Sequence, residues 1–207
     1  MRSSGQLIEL TLREYTQRLS SGEPTPGGGS AAALAGGLAA ALAMMVARLT
    51  IGRKKYAEHE VEMQMVLDQA DRLRNQLLAL VDADTVAFQD LMAAYGLPKR
   101  DQQAIEQRQS AIQEALRHAT DIPLATAEAS IQVLNLAAQA REHGNKHAAG
   151  DAVVAALLAH AAMMGAVHDV KVNLRGLHDA EFSAYAETRV AGLVANANAA
   201  LERAMAA

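Results

Sequence analysis

Between Glu23 and Arg48 the chain carries no charged side chain; Thr25 to Ala47 reads TPGGGSAAALAGGLAAALAMMVA. A run of this kind is stable only where nearly every face is covered, by lipid or by other helices. Its Ala and Gly content makes it weakly hydrophobic, and no second span of the kind is read beside it. The expectation is therefore a helix from about Ser30 to Thr50, buried on almost all sides in a bundle. Gly36 and Gly37 would let neighbouring backbones approach closely.

The rest of the chain has to supply that cover. Of its 207 residues 51% are hydrophobic and only 3% aromatic, so Ala, Leu, Val and Met must fill the core. These residues propagate helices, and the β-branched and aromatic runs that favour strands are missing. An amphipathic helix is expected over about Gln6 to Ser20, with Leu7, Leu10, Leu12 and Leu19 as its apolar side. Ser21 to Gly29 is a break, and Gly52 to Lys55 is a basic joint. Tyr56 to Tyr95 reads as one very long helix or two stacked ones, ended by Gly96 and Pro98. A helix over Asp101 to Ala119 is followed by another with Pro123 in its first turn, running to His143. Gly144 and Asn145 turn the chain, with Gly150 a candidate second turn. Asp151 is placed to cap an apolar helix to Val172. Asn173 to Asp179 turns again before a last helix. The expected architecture is all-α: one domain over 1–207, a bundle of about six or seven helices with one long helix and one buried Ala/Gly-rich helix.

A net charge of −4 gives no electrostatic case for nucleic acid, and with no Cys there is neither a disulfide framework nor a thiolate site. No basic segment leading into an apolar one opens the chain, so the expected compartment is the cytoplasm, with no membrane partner. His143 and His147 are separated by Gly144 and Asn145, no HExxH occurs, and no metal site is expected. His160 reads as a satisfied core histidine, and Met44, Met45, Met163 and Met164 as core filler.

Against this apolar background a few polar groups break the pattern. Ala70, Leu73, Leu77, Leu80, Ala87 and Leu91 follow heptad spacing, and the position between Leu80 and Ala87 in that seam is Asp84. Asp82 falls in a different row with Asp68, Asn75 and Gln89, which points it to solvent. An inward carboxylate is costly unless it is bonded or used. Asp84 is either a structural group tied to a neighbouring helix end or a proton-handling carboxylate with a raised pKa. Gly27, Gly28 and Gly29 precede a helix start with Ser30. They form either a plain turn or a place where backbone lies against a ligand, and no GK[ST] follows to make them a Walker loop. Arg53, Lys54 and Lys55 are either a solvated charge run or an anion-binding joint.

The segments TPGGGSAAALAGGLAAALAMMVARLTIGRKKY, LVDADTVAFQDLMAAYGLPK, IQEALRHATDIPLATAE, HGN…GD and VNLRGLHDAEF, in that order, resemble the formiminotransferase-cyclodeaminase C-terminal domain family. That family holds folate cyclodeaminases and the stand-alone methenyltetrahydrofolate cyclohydrolases of some bacteria. The resemblance implies an all-helical folate enzyme that works as a homodimer. It places the catalytic acid at Asp84. It places substrate binding at Gly27, Gly28, Gly29, Ser30, Arg53, Lys54, Lys55, Asn145, Asp151 and Asn173. At His147 to Gly150 the chain has HAAG where relatives often carry another tetrad.

Both reactions of the family occur at the one-carbon unit joining N5 and N10 of tetrahydrofolate, and no cofactor or metal is implied beyond tetrahydrofolate as carrier. The cationic methenyl carbon takes water and opens to 10-formyltetrahydrofolate, or N10 attacks a formimino carbon and ammonia leaves. A half-buried carboxylate suits either. The basic joint suits folate's anionic glutamate tail, and Asp151, Asn145 and Asn173 suit the donor edge of the pterin. The cyclohydrolase reaction is expected first. No formiminotransferase segment is attached, LTIGRKKY and AYGLPK match the bacterial cyclohydrolases, and a second acid for the departing nitrogen is not evident beyond His143 or His147. The alternatives are the cyclodeaminase and, from another class, a helical scaffold without activity.

Overall fold

The structure, a computed structural model, describes residues 6–206. It holds six α-helices joined by short 3₁₀ segments, and no strand among the described residues. The charge-free run becomes α2, Gly28–Thr50. It packs against α3 (Glu60–Tyr95), α4 (Gln102–His143) and α5 (Ala149–Leu174), which together bury Gly36, Gly37, Val46 and most of its alanines. A Cβ on Gly36 would lie 3.0 Å from Leu77 and from Ser130, so the approach at this glycine is close but is made by side chains rather than by the neighbouring backbone expected. By length and composition both α2 and the segment Lys146–Leu174 could cross a membrane. A second apolar stretch thus exists beside the single one expected, and the two helices pack on each other.

The remaining elements complete the bundle. α1 (Leu12–Leu19) starts at a capping box in which Thr11 and Glu14 satisfy each other's backbone amides. The single amphipathic helix expected over Gln6 to Ser20 is in fact a 3₁₀ turn, Leu7–Glu9, and then α1. Its apolar side is also different: Leu7 and Tyr15 are buried while Leu12 is 75% exposed. The long helix α3 is one helix, preceded by the 3₁₀ segment Lys54–His59. α6 (Ala180–Met205) is capped by Asp179, which accepts from Phe182 N.

Two helix boundaries differ from expectation. Asp151 is not a cap: α5 begins at Ala149, and Gly150 and Asp151 lie within its first turn, where a carboxylate still favours the helix dipole. Pro123 does not start a helix either; α4 runs through it as one helix of 42 residues. Proline has no N–H for the carbonyl four residues back, here that of Ala119. The side-chain amide of Asn173, reaching from α5, donates to that carbonyl at 2.7 Å. A tertiary hydrogen bond thus replaces the missing helical one.

Candidate functional site

A cleft of about 250 Å³ opens where the start of α2 meets α3, α4 and α5. The glycines Gly27, Gly28 and Gly29 form one rim, Phe88, Leu91 and Pro123 supply apolar wall, and Asp84, Asp169 and Asn173 supply polar groups. No Lys or Arg is among these lining residues.

Asp84 reaches the cleft because residue 29 has no side chain. A Cβ there would collide with the Asp84 carboxylate, lying 2.7 Å from its Cγ. Gly28, in contrast, has open space around its missing Cβ. Of the three glycines, therefore, Gly29 is the one whose bareness the geometry requires. Ser30 is fully buried beneath the carboxylate, its Oγ 2.8 Å from Asp84 Oδ2, 3.0 Å from the Val81 carbonyl and 3.3 Å from Thr85 Oγ1. A hydroxyl has one proton to give. When Asp84 is ionised, Ser30 can donate to it; when Asp84 is protonated, it can donate to Ser30, which then donates to Val81. Both charge states can be satisfied by one hydroxyl rotation.

Burial pushes the Asp84 carboxyl above its ordinary range, against the side-chain and backbone hydrogen bonds of Ser30, which pull it down. Asp169 is also pushed up, first by burial and then by the charge of Asp84, with His168 pulling the other way. Because the charge of Asp84 helps to raise Asp169, the cleft favours a state in which Asp84 is ionised and Asp169 holds a proton. Tyr15 of α1 belongs to the same neighbourhood. Burial raises its phenol, then the charges of Asp84 and Asp82, and its buried hydroxyl has no hydrogen-bond partner among the described residues. Asp82 is half-buried rather than solvent-facing, because one of its oxygens accepts from Leu7 N and ties the N-terminal turn to α3.

The expected site residues divide between two ends of α2. Gly27, Gly28, Gly29, Asp84 and Asn173 line the cleft, with Ser30 behind Asp84. Arg53, Lys54 and Lys55 are exposed beyond the far end of a 23-residue helix, about 35 Å away. Asn145 is at that far end too and is fully engaged. Its N–H donates to Thr50 Oγ1 at 2.8 Å, its amide donates to the Leu49 carbonyl at 3.0 Å, and its Oδ1 accepts from His147 N at 3.0 Å. Asn145 is a structural lock, and Asp151 follows it in the first turn of α5. Within one copy the basic joint, Asn145 and Asp151 are not brought to the cleft.

Asp169 and Tyr15 were not anticipated. Ala155, Ala162 and Asp169 are seven apart, as are Ala159, Ala166 and Asn173, so the spacing that marks Asp84 also marks Asp169. For Tyr15 there is no comparable signal. His160, expected to be satisfied, keeps a buried Nε2 without a partner among the described residues.

Residues 11–192 match the family model described as formiminotransferase-cyclodeaminase. The chain belongs to the formiminotransferase-cyclodeaminase family. It is 42% identical over 193 residues to a methenyltetrahydrofolate cyclohydrolase of Methylorubrum extorquens, covering 93% of each chain. It is 32% identical to the formimidoyltransferase-cyclodeaminase of Rattus norvegicus over 92% of its own length and 35% of that longer protein. Its fold matches the crystal structure of formiminotetrahydrofolate cyclodeaminase from Thermotoga maritima with a TM-score of 0.86 and 28% identity, over 95% of this chain and 94% of that one. The family expected from the motifs is the family found.

Proposed function

We propose that the protein is a cytoplasmic folate enzyme that hydrolyses 5,10-methenyltetrahydrofolate to 10-formyltetrahydrofolate, with no cofactor beyond the tetrahydrofolate that carries the one-carbon unit. The observation that carries this reading is the pair Asp84 and Asp169 in a cleft that holds no cation among its lining residues. The substrate's methenyl bridge is an amidinium-like cation, and carboxylates in a partly dry site stabilise it. The 42% identity to a methenyltetrahydrofolate cyclohydrolase supports the same choice.

The chemistry follows from a pair in which Asp84 is ionised and Asp169, raised by that charge, holds a proton. The ionised member of the pair, assigned to Asp84, takes a proton as water attacks the bridging carbon. The carbon–N5 bond then breaks, N5 receives a proton from the protonated member, and the hydroxyl loses its own as the formyl C=O forms. One proton is released overall, balancing a cation plus water against a neutral product. Ser30 gives Asp84 a partner in each state.

The cleft, at about 250 Å³, is smaller than the ~300–1,000 Å³ usual for small-molecule sites. It accommodates the reacting end of folate and leaves the glutamate tail outside. A homodimer would complete it. Leu38, Ala41, Met45 and Leu49 of α2 and Val154, Leu157, Ala161 and Met164 of α5 are exposed, with Leu38 at 48% and Val154 at 47%. Ala32 abuts Gly165 where the two helices meet. A two-fold axis across the middle of α2 sets the second copy's α2 antiparallel, so that its basic joint overhangs the glycine rim and meets the anionic tail.

The test is loss of the methenyl chromophore on adding purified protein to 5,10-methenyltetrahydrofolate. No acceleration over buffer would remove the reading. The second reading, a formiminotetrahydrofolate cyclodeaminase, is favoured by the fold match to the Thermotoga maritima enzyme. Faster release of ammonia from 5-formiminotetrahydrofolate by the same preparation would put it first.

A further inference from the structure

At the end of the bundle away from the cleft, His59, Glu62 and His143 converge. His59 caps α3, Glu62 is in its first turn, and His143 is the last residue of α4. One donor atom from each of the three lies within 4.8 Å of the others. Glu62 reaches both rings, its Oε2 3.9 Å from His59 Nδ1 and its Oε1 3.8 Å from His143 Nε2. The imidazoles are 4.5 Å apart, centre to centre, and tilted by 35°.

We propose that His59, Glu62 and His143 bind a divalent transition-metal ion of the Zn(II) type. Two imidazoles and a carboxylate are a donor set such ions take, with at least one position left for water. Bonds of about 2.0–2.1 Å to tetrahedral zinc require donors about 3.3 Å apart. Closing the cluster onto an ion needs shifts of about 0.5–1.5 Å in side chains that are each about 30% exposed and free to move.

Two further observations point the same way. The other nitrogen of His59, Nε2, lies 3.4 Å from Glu58 Oε1. A ligating histidine characteristically gives its second N–H to a carboxylate, which fixes the tautomer with the opposite nitrogen free for the ion. Charge is also unbalanced. Glu58, Glu62 and Glu142 lie within 4 Å of these imidazoles, and no Lys or Arg forms an ion pair with any of them among the described residues. A bound dication would offset that excess and join the start of α3 to the end of α4.

The experiment uses the full chain freed of any affinity tag, titrated calorimetrically with ZnCl₂ at pH 7.5, with Co(II) as an optical probe. The expected result is one equivalent of Zn(II) bound with Kd of about 10 μM or tighter, and a visible Co(II) band of low coordination number. His59→Ala and His143→Ala should each weaken binding at least ~30-fold, and Glu58→Gln about tenfold through the supporting contact. His147→Ala should leave it unchanged. Zinc should raise the melting temperature of the parent protein and not that of His59→Ala/His143→Ala, whose metal-free melting temperature shows whether it is folded. Saturation absent at 100 μM Zn(II), or equal affinity in the folded double variant, overturns the proposal.

Discussion

Asn173 satisfies the carbonyl that Pro123 leaves without a helical partner: its side-chain amide meets Ala119 O at 2.7 Å, and all three residues line the cleft. The proline that interrupts the hydrogen-bond ladder of α4 and the asparagine that repairs it therefore form one device. With one N–H of its amide used on Ala119, Asn173 keeps its second N–H and its Oδ1 for a ligand.

Removing the repair should expose the break. Asn173→Ala should cost about 1–3 kcal/mol, the usual penalty for a polar group left without its partner. Pro123→Ala returns an N–H to position 123, so in that background the same substitution should cost less than half as much. A double-mutant cycle from denaturant unfolding measures the coupling. Strict additivity would show that the two residues act separately.

The carboxylates differ in what they do. Asp84→Asn should lower turnover of 5,10-methenyltetrahydrofolate at least ~100-fold with the fold retained. Asp169→Asn should fall in the same range. Asp82→Ala should instead destabilise by about 1 kcal/mol through the lost anchor to Leu7, with turnover largely kept. Equal rates for the Asp84 and Asp82 variants would remove Asp84 from the chemistry.

Stability should report the raised carboxyls directly. A folded-state pKa above the unfolded value of about 3.9 means that the protonated form suits the fold better. Its contribution is full below that value and is lost as pH rises through the folded-state pKa. Asp84 and Asp169 both shift this way. Asp84→Asn should therefore melt above the parent protein at pH 7.5, and the gap should close as pH falls toward 4. A gap independent of pH would contradict the shift.

Between the glycines, the contrast should be sharp. Gly29→Ala drives its methyl into the Asp84 carboxylate, which can swing aside on a flexible side chain. Turnover should fall at least tenfold, with a small change in melting temperature. Gly28→Ala meets open space and should be nearly neutral in both.

If the second copy supplies the basic joint, inactive variants should complement. Asp84→Asn mixed equally with Arg53→Ala/Lys54→Ala/Lys55→Ala yields half mixed dimers, each with one intact site. Activity should recover to about a quarter of the parent value on exchange of subunits. No recovery, with both variants dimeric by light scattering, would place the joint and Asp84 in the same copy's site or outside it.

What was legible in the sequence depended on range. Asp84 stood out because a heptad seam is local, and the same local signal, unused, marks Asp169. Pro123 suggests a helix start in the sequence because its compensation comes from Asn173, fifty residues away, and no pattern within α4 announces it. The basic joint follows α2 directly in sequence, yet a rigid 23-residue helix turns that adjacency into separation. Asp82 looked solvated from its row on α3, since the amide that holds it belongs to Leu7.

Nearly half of the buried apolar side chains among the described residues are alanine. An alanine core has little left to lose. Truncation still threatens the larger side chains such as Met44, Leu77 and Met163, whereas at the alanines added methylenes meet neighbours already packed close. The tolerated drift of such a sequence is one-sided. At the alanine positions larger residues are disfavoured, and gains in heat resistance are to be sought first at helix ends, connecting turns and the outer faces.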